Sequence, residues 1–95
     1  MAAYVIAQVD ITNPNTFAQY GQQVPAVVDQ YGGRYLVRGG TMEVAEGEWD
    51  APRVVVLEFP SMQALKRFYY SPEYAPLIKL RQQSARSVLA FVEGV

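Results

Sequence analysis

The 95-residue chain is 51% hydrophobic, carries a formal net charge of −1 and has neither cysteine nor histidine, which excludes disulfides, thiolate or histidine catalysis and haem ligation by histidine. It has no basic run and no stretch of about 18 apolar residues, so we expect no nucleic-acid partner and no membrane partner. This length predicts a single domain over residues 1–95 with a thin core, and the surplus of apolar residues predicts an interface.

The missing residue types also limit cofactors and location. Thiolate-based zinc sites are excluded, and we expect no metal and no cofactor. Acid–base chemistry is left to Asp, Glu, Tyr and Lys side chains. The first residues lack the charged and apolar regions of a signal peptide, so we expect a cytoplasmic protein.

The first third of the chain predicts a strand followed by a helix. Residues 4–11 alternate between a wholly apolar face and a mixed one, which is the period of a strand. Asn13 and Pro14 form a helix start signal, because Asn caps well and Pro fits the first helical position. An apolar stripe continues to Gly32, where the helix is expected to end. Pro25 lies inside the stripe and predicts a kink that divides the helix in two.

Two further strands are predicted in the middle of the chain. Residues 34–38 alternate, and simple alternation puts three side chains on one face. These are Arg34, Leu36 and Arg38. Residues 41–50 predict a loop or a hairpin arm. Residues 53–59 are apolar on both faces, which is typical of a central strand covered twice.

The last third of the chain predicts a helical region and a final strand. Ser61 can cap a second helix. Ser71 precedes a proline and starts a new segment, predicted to be a turn and then a helix. Pro76 falls inside that segment and is expected to cost a hydrogen bond. Residues 87–93 alternate and predict the last strand.

The order β-α-β-β-α-β predicts an α+β, ferredoxin-like fold: a four-stranded antiparallel sheet with its helices on one face. The other face then exposes Tyr4, Ile6, Val54 and Val56. Each such side chain costs about 1.5–3 kcal/mol if it stays in water. A homodimer that pairs the two open sheet faces removes this cost. The alternative is that the 41–50 loop and long side chains cover the face.

Four segments, in order and over nearly the whole chain, carry a family resemblance. They are residues 31–40 (YGGRYLVRGG), Glu46-Gly47 with Trp49, residues 53–61 (RVVVLEFPS) and residues 69–74 (YYSPEY) followed by Arg81. With them the chain resembles the domain of unknown function 1330 family. That family is similar to the dimeric α/β-barrel group, so the resemblance implies two ferredoxin-like sheets closed into a barrel, with a pocket in each protomer.

The resemblance implies no reaction, because the activity of the family is undefined. The broader barrel group includes monooxygenases and isomerases, so a cofactor-independent enzyme is one possibility by analogy. Two residues depart from the family pattern. Phe68 stands where members commonly have Trp, and Pro76 is unusual at its position.

The candidate ligand-binding residues are polar or aromatic side chains of these segments. They are Arg38, Trp49, Glu58, Tyr69, Ser71, Tyr74 and Arg81. Arg38 offers a fork suited to an anion, or it forms a salt bridge with Glu58. Glu58 is the candidate general base, although pairing with Arg38 or Arg53 is the favoured interpretation.

The remaining candidates also have two interpretations each. Tyr69 is expected to pack in the core, and Tyr74 either packs or lines a pocket. Ser71 is expected to act as a cap, since no histidine is present to activate it as a nucleophile. Arg81 either lines the site or reaches an acid or the last strand. Trp49 is either a lid over the pocket or a dimer anchor.

The sequence therefore favours a small dimeric protein that binds a small organic molecule, with an anion as one option, in a pocket between sheet and helices. Catalysis is left open. The alternative is a non-catalytic assembly dimer without a small-molecule site.

Overall fold

The computed structural model describes residues 1–95 and contains four strands and three helices. In chain order they are β1 (Ala3–Ile11), α1 (Pro14–Gln30), β2 (Arg34–Arg38), β3 (Arg53–Phe59), α2 (Met62–Tyr69), α3 (Ala75–Ser84) and β4 (Ala85–Glu93). The strands form one antiparallel sheet in the order β2-β3-β1-β4. This confirms the predicted α+β, ferredoxin-like fold. None of the helices has the length and apolar character needed to cross a membrane.

Helix α1 begins and ends at the predicted signals. The Asn13 side chain accepts a hydrogen bond from the backbone N–H of Thr16 at 3.2 Å. Gly32 ends the helix with φ of 79°, a left-handed conformation that glycine adopts without a steric penalty. The helix is continuous from Pro14 to Gln30 with Pro25 inside it, so the prediction that it divides into two pieces is wrong.

The region after β3 forms a helix, a turn and a second helix, as predicted. Ser61 caps α2 by accepting a hydrogen bond from the N–H of Ala64 at 3.0 Å. Helix α3 begins at Ala75, so Pro76 lies in its first turn. Backbone N–H groups have no partner within the helix at that position. The expected loss of a hydrogen bond at Pro76 is therefore wrong.

The core lies between the helices and one face of the sheet. Ala3, Val5, Ala7 and Val9 alternate along β1 and are all buried. They pack with large apolar side chains from β3 and the helices. The fully buried ones include Phe59, Phe68, Leu65 and Val28.

Strand β2 contains a bulge that changes where its last residues point. Tyr35 pairs with Leu57 and Val37 pairs with Val56, so the register shifts between them. An extra residue in one strand turns every later side chain to the opposite face. The prediction that Arg34 shares a face with Arg38 is therefore wrong. Arg38 instead points to the side of the helices.

The opposite sheet face carries no helix, and we call it the open face. Its apolar side chains include the predicted Ile6, Val54 and Val56. Four of its members are substantially exposed: Ile6 (37%), Val37 (40%), Val88 (67%) and Val92 (43%). Residues 41–50 form an exposed loop without a strand.

Candidate functional site

A cavity lies between the sheet and the helices. The cavity has a volume of about 60 Å³, several times the roughly 10–15 Å³ that one water needs. The walls are mostly hydrophobic, and residues of all three helices and of the sheet face that they cover contribute to them. The polar lining side chains are Tyr20, Tyr35, Arg38, Arg53, Tyr69, Tyr74 and Arg81.

A chain of hydrogen bonds joins Arg81, Tyr74 and Tyr20. The Nη1 of Arg81 donates to the Tyr74 hydroxyl at 2.7 Å, and that hydroxyl lies 2.8 Å from the hydroxyl of Tyr20. Arg81 is only 5% exposed, and its buried Nε has no acceptor in the protein. A buried guanidinium is thus held by phenols rather than by a carboxylate.

Pro25 helps to hold Arg38 at the same cavity. A proline within a helix has no N–H, so the carbonyl four residues earlier, that of Gly21, loses its usual donor. The Nη2 of Arg38 donates to this carbonyl oxygen at 2.6 Å. The guanidinium also lies 4.7 Å from the centre of the Tyr35 ring, a favourable cation–π distance. The β2 bulge and the α1 proline together fix this arginine at the cavity.

Arg53 is the third arginine of the cavity. Its guanidinium lies 5.8 Å from the centre of the Phe17 ring, and its buried Nε has no acceptor in the protein. It also passes so close to Gly39 that a Cβ there would lie 1.9 Å from Nη1. Gly39 has φ of 65°, so the bare backbone both makes the turn and leaves room for Arg53.

The three arginines have no carboxylate partner. The structure contains two ion pairs, Arg34 with Glu58 and Arg86 with Asp10, and neither involves a cavity residue. No acidic side chain lines the cavity. No group of acidic, histidine or cysteine side chains in the chain is placed to hold a metal ion. The polar groups of the cavity suit an anion.

Burial keeps the phenols of Tyr74 and Tyr35 neutral. It raises the pKa of Tyr74 far above the usual tyrosine range and raises the pKa of Tyr35 to about 12. For Arg81, burial lowers the pKa and the attraction of the Tyr74 and Tyr20 phenolates raises it, so the net upward shift applies only where these phenols are ionised and does not offset the burial at neutral pH. At neutral pH Tyr74 and Tyr35 are therefore protonated phenols, and the guanidinium groups are charged because arginine keeps its proton in proteins.

Four of the predicted site residues line this cavity: Arg38, Tyr69, Tyr74 and Arg81. Tyr69 also packs as expected, with its ring 5.6 Å from that of Tyr74. Ser71 is buried beneath the site and caps the turn that leads into α3. Its hydroxyl accepts from the N–H of Tyr74 at 3.1 Å and donates to the carbonyl of Phe68 at 2.7 Å. Ser71 thus fixes the backbone from which Tyr74 projects.

The structure does not bring Glu58 and Trp49 to the cavity. Glu58 lies on the open face, where it pairs with Arg34 at 2.6 Å and accepts from the Tyr4 hydroxyl at 3.1 Å. The predicted partners Arg38 and Arg53 are on the other side of the sheet. Trp49 lines a different groove, of about 480 Å³, between the 41–49 loop and the open face.

Sequence reasoning missed Tyr20, Tyr35 and Arg53 as cavity residues. Tyr20 belongs to the apolar stripe of α1, and that periodicity is the same for a side chain that fills the core and one that lines a cavity. Arg53 begins a strand whose alternation places it on the face of Val55 and Leu57. A lone arginine on an otherwise apolar face was the available signal.

Comparison with known families now identifies the chain. The model of the family named "Domain of unknown function (DUF1330)" matches residues 2–95. The chain belongs to the DUF1330 family. No curated protein matches this DUF1330 chain.

Solved structures show the same fold at low sequence identity. RPA0582 from Rhodopseudomonas palustris, a protein of unknown function, is 20% identical with a TM-score of 0.73, over 99% of this chain and 82% of its own. A dimeric ferredoxin-like protein of unknown function from Jannaschia sp. CCS1 is 13% identical with a TM-score of 0.68, over 99% and 100%. SnoaB, a cofactor-independent oxygenase from Streptomyces nogalater, is 12% identical with a TM-score of 0.65, over 99% and 93%. These similarities concern the fold.

Proposed function

We propose that this DUF1330 protein binds a small organic anion in the cavity between its sheet and its helices. One observation carries the proposal. Three arginines, Arg38, Arg53 and Arg81, line a mostly hydrophobic cavity that contains no carboxylate. A charged ligand oxygen supplies the counter-charge that the chain itself does not provide.

The energetic reason is clearest at Arg81. Removing an ion from water costs several kcal/mol unless a counter-ion and hydrogen bonds compensate. Arg81 receives one phenol partner through Nη1, and its Nε has none. A protein tolerates such a group where a ligand completes the interaction, so the bound anion stabilises the folded state.

The lining also limits the kind of anion. Aliphatic and aromatic side chains such as Val24, Leu57 and Phe68 form most of the wall. A strongly hydrated inorganic ion gains nothing from such a wall, whereas an apolar body does. A planar fork suits carboxylate geometry in particular. Small aromatic or branched carboxylates are therefore the first ligands to test.

A thermal-shift screen of small carboxylic acids tests the proposal. At about 100 times the dissociation constant, a ligand stabilises the folded state by about 2.7 kcal/mol, which raises the unfolding midpoint by roughly 10–20 °C for a chain of this size. Arg38→Ala is expected to abolish the shift. Arg67→Ala removes the same charge from an exposed position on α2 and is expected to keep it. No shift across a broad panel, or equal loss in both variants, contradicts the proposal.

Catalysis at this cavity has a chemical restriction. Glu58, the candidate general base, is bound to Arg34 and Tyr4 on the opposite face of the sheet. A cofactor-independent reaction, by fold analogy with the oxygenase SnoaB, would have to proceed here without a carboxylate or imidazole base among the lining residues.

We also propose that two copies of the chain pair through their open faces. The exposed apolar side chains there come from three strands: Ile6 from β1, Val37 from β2, and Val88 and Val92 from β4. Val56 of β3 lies between them. Arg34 neutralises Glu58, the acid among them. Two structural neighbours are dimeric ferredoxin-like proteins, which supports a second copy as the occupant. In this arrangement Trp49, which lines the same groove as Val37 and Val54, would act as a dimer anchor rather than as a lid over the cavity.

Light scattering at micromolar concentration tests the pairing. The wild type is expected to show twice the mass of one chain. Val88→Glu puts a charge on the open face and is expected to give a monomer, whereas Val95→Glu at the exposed chain end is expected to stay dimeric. A monomeric wild type contradicts the pairing. A dimer that binds no anion in the screen supports the alternative of an assembly protein without a ligand site.

A further inference from the structure

The Tyr20–Tyr74 pair at the cavity carries one O–H proton for which the protein supplies no acceptor. The hydroxyls of Tyr20 and Tyr74 carry two protons, and the 2.8 Å bond between them uses one. The Nη1 of Arg81 occupies a lone pair of the Tyr74 oxygen, because it donates there at 2.7 Å. Whichever phenol donates to the other, one phenolic O–H is left without a protein acceptor.

The polar side chains around this free O–H are arginines and further phenols, with no carboxylate or imidazole among them. The charged groups that line the cavity are Arg38, Arg53 and Arg81, and the titratable neutral ones are Tyr20, Tyr35, Tyr69 and Tyr74. The Nε atoms of Arg53 and Arg81 also have no acceptor. The carbonyl of Gly21 is already bound by Arg38. The arrangement has several unused donors and no base.

We infer that the cavity takes a weak organic acid, such as a phenol, an enol or a carboxylic acid, and holds it as its conjugate base with the charged oxygen at the Tyr20–Tyr74 pair. This inference rests on the proposed function and adds the ionisation state and the position of the ligand. The O–H bond of the ligand breaks, both electrons stay on the ligand oxygen, and the proton passes to solvent because no lining residue can accept it.

The physical cause is the charge around the ligand. Nearby positive charge and hydrogen-bond donors favour the charged form of an acid over its neutral form. A neutral acid brings its own O–H to a site that already has unused donors, whereas its anion accepts from them. The cavity therefore binds the anion more tightly and increases the acidity of the bound ligand.

Titration of 4-nitrophenol tests the ionisation directly, because its visible absorption reports the ionised form. At a pH about one unit below that at which free 4-nitrophenol is half ionised, addition of the wild-type protein is expected to increase the nitrophenolate absorbance. The acid dissociation constant of the bound probe is expected to rise at least tenfold. Bound 4-nitrophenol that stays as protonated as the free probe overturns the inference.

Phenylalanine variants test the position of the oxygen. Tyr20→Phe and Tyr74→Phe each leave one free phenolic O–H at the cavity, so each is expected to keep most of the effect. The double variant lacks both hydroxyls of the pair and is expected to lose roughly ten- to a hundredfold in nitrophenolate affinity, far more than the product of the single losses. Tyr31→Phe is the matched control, since the Tyr31 hydroxyl binds Glu73 outside the cavity. Single losses that multiply to give the double loss overturn the placement.

The outcomes separate this inference from the function on which it rests. Carboxylates that bind in an Arg38-dependent manner while 4-nitrophenol stays protonated refute the inference alone. A protein that binds neither probe refutes both. The wild-type titration needs no variant, so the ionisation claim is decided even if the double variant does not fold.

Discussion

Replacing Arg81 by methionine is expected to stabilise the protein in the absence of ligand. Methionine replaces the aliphatic part of the arginine side chain with an apolar, flexible chain that can pack in the same space. The substitution removes a guanidinium that is 5% exposed and has no carboxylate partner. Tyr74 keeps its hydrogen bond with Tyr20, so no buried phenol loses its only partner.

The magnitude follows from three contributions of the Arg81 side chain. Loss of the Nη1 bond to Tyr74 costs about 1.5–3 kcal/mol, as for other hydrogen bonds to charged groups. Removal of the unsatisfied Nε–H returns about 1–3 kcal/mol, and removal of the desolvated charge returns several kcal/mol more. The first two contributions roughly cancel, and after the space that methionine leaves empty is allowed for, the net gain is about 1–4 kcal/mol in the free energy of unfolding, the range for apolar replacement of buried ions, or roughly 4–8 °C in the midpoint for each kcal/mol at this chain length.

Urea and thermal unfolding of the ligand-free proteins measure this difference. Arg67→Met, at an exposed position on α2, is the control and is expected to stay within about 0.5 kcal/mol of the wild type. Arg81→Met is also expected to lose carboxylate binding, so stability and binding change in opposite directions. An Arg81→Met protein that is less stable by more than about 1 kcal/mol refutes the reasoning, because the guanidinium then has a structural role that needs no ligand.

Three further predictions concern packing and pH. Gly33→Ala is expected to destabilise the fold by about 1–3 kcal/mol in urea unfolding, since its Cβ would lie 2.5 Å from the Phe59 ring; a neutral effect contradicts this. The hydrogen bond from the Tyr31 phenol lowers the pKa of Glu73, so it stabilises the fold above the usual glutamate pKa and ceases to do so as the pH falls through the lowered value. Tyr31→Phe should therefore lower the unfolding midpoint at pH 7 and match the wild type in acid, and a difference that persists in acid contradicts the assignment. Calorimetric affinity for a carboxylate is expected to be constant from about pH 6 to 9, because arginine and tyrosine side chains do not titrate there; a step in that range contradicts the lining described above.

Much of the fold could be predicted from local sequence signals. Alternation defined the strands, and Asn13 and Ser61 marked helix starts because their side chains satisfy free N–H groups. Pro25 was misjudged because a proline removes one hydrogen bond without necessarily ending a helix. The freed carbonyl of Gly21 found another donor, Arg38, from a strand distant in sequence. Such tertiary compensation cannot be seen in a local pattern.

The candidate site was less predictable, for a related reason. The side-chain direction of Arg38 depends on a bulge that adds one residue to β2, and the sequence of that strand alternates without a break. Glu58 alternates with Val54 and Val56, which predicts that it shares their face, but its partner Arg34 could not be identified without the strand register. Tyr20 was assigned to the apolar stripe of α1, although its hydroxyl meets Tyr74. Cavities arise from how elements pack, so sequence periodicity does not reveal them.

Calorimetric titration with benzoate and with benzamide tests the central claim most directly. The two compounds have nearly the same shape, but only benzoate carries a negative charge at neutral pH. An anion site built from Arg38, Arg53 and Arg81 predicts that benzoate binds at least about tenfold more tightly, since hydrogen bonds to charged groups are worth about 1.5–3 kcal/mol. Equal affinity for the two compounds, or binding of benzamide alone, would contradict an anion-binding cavity.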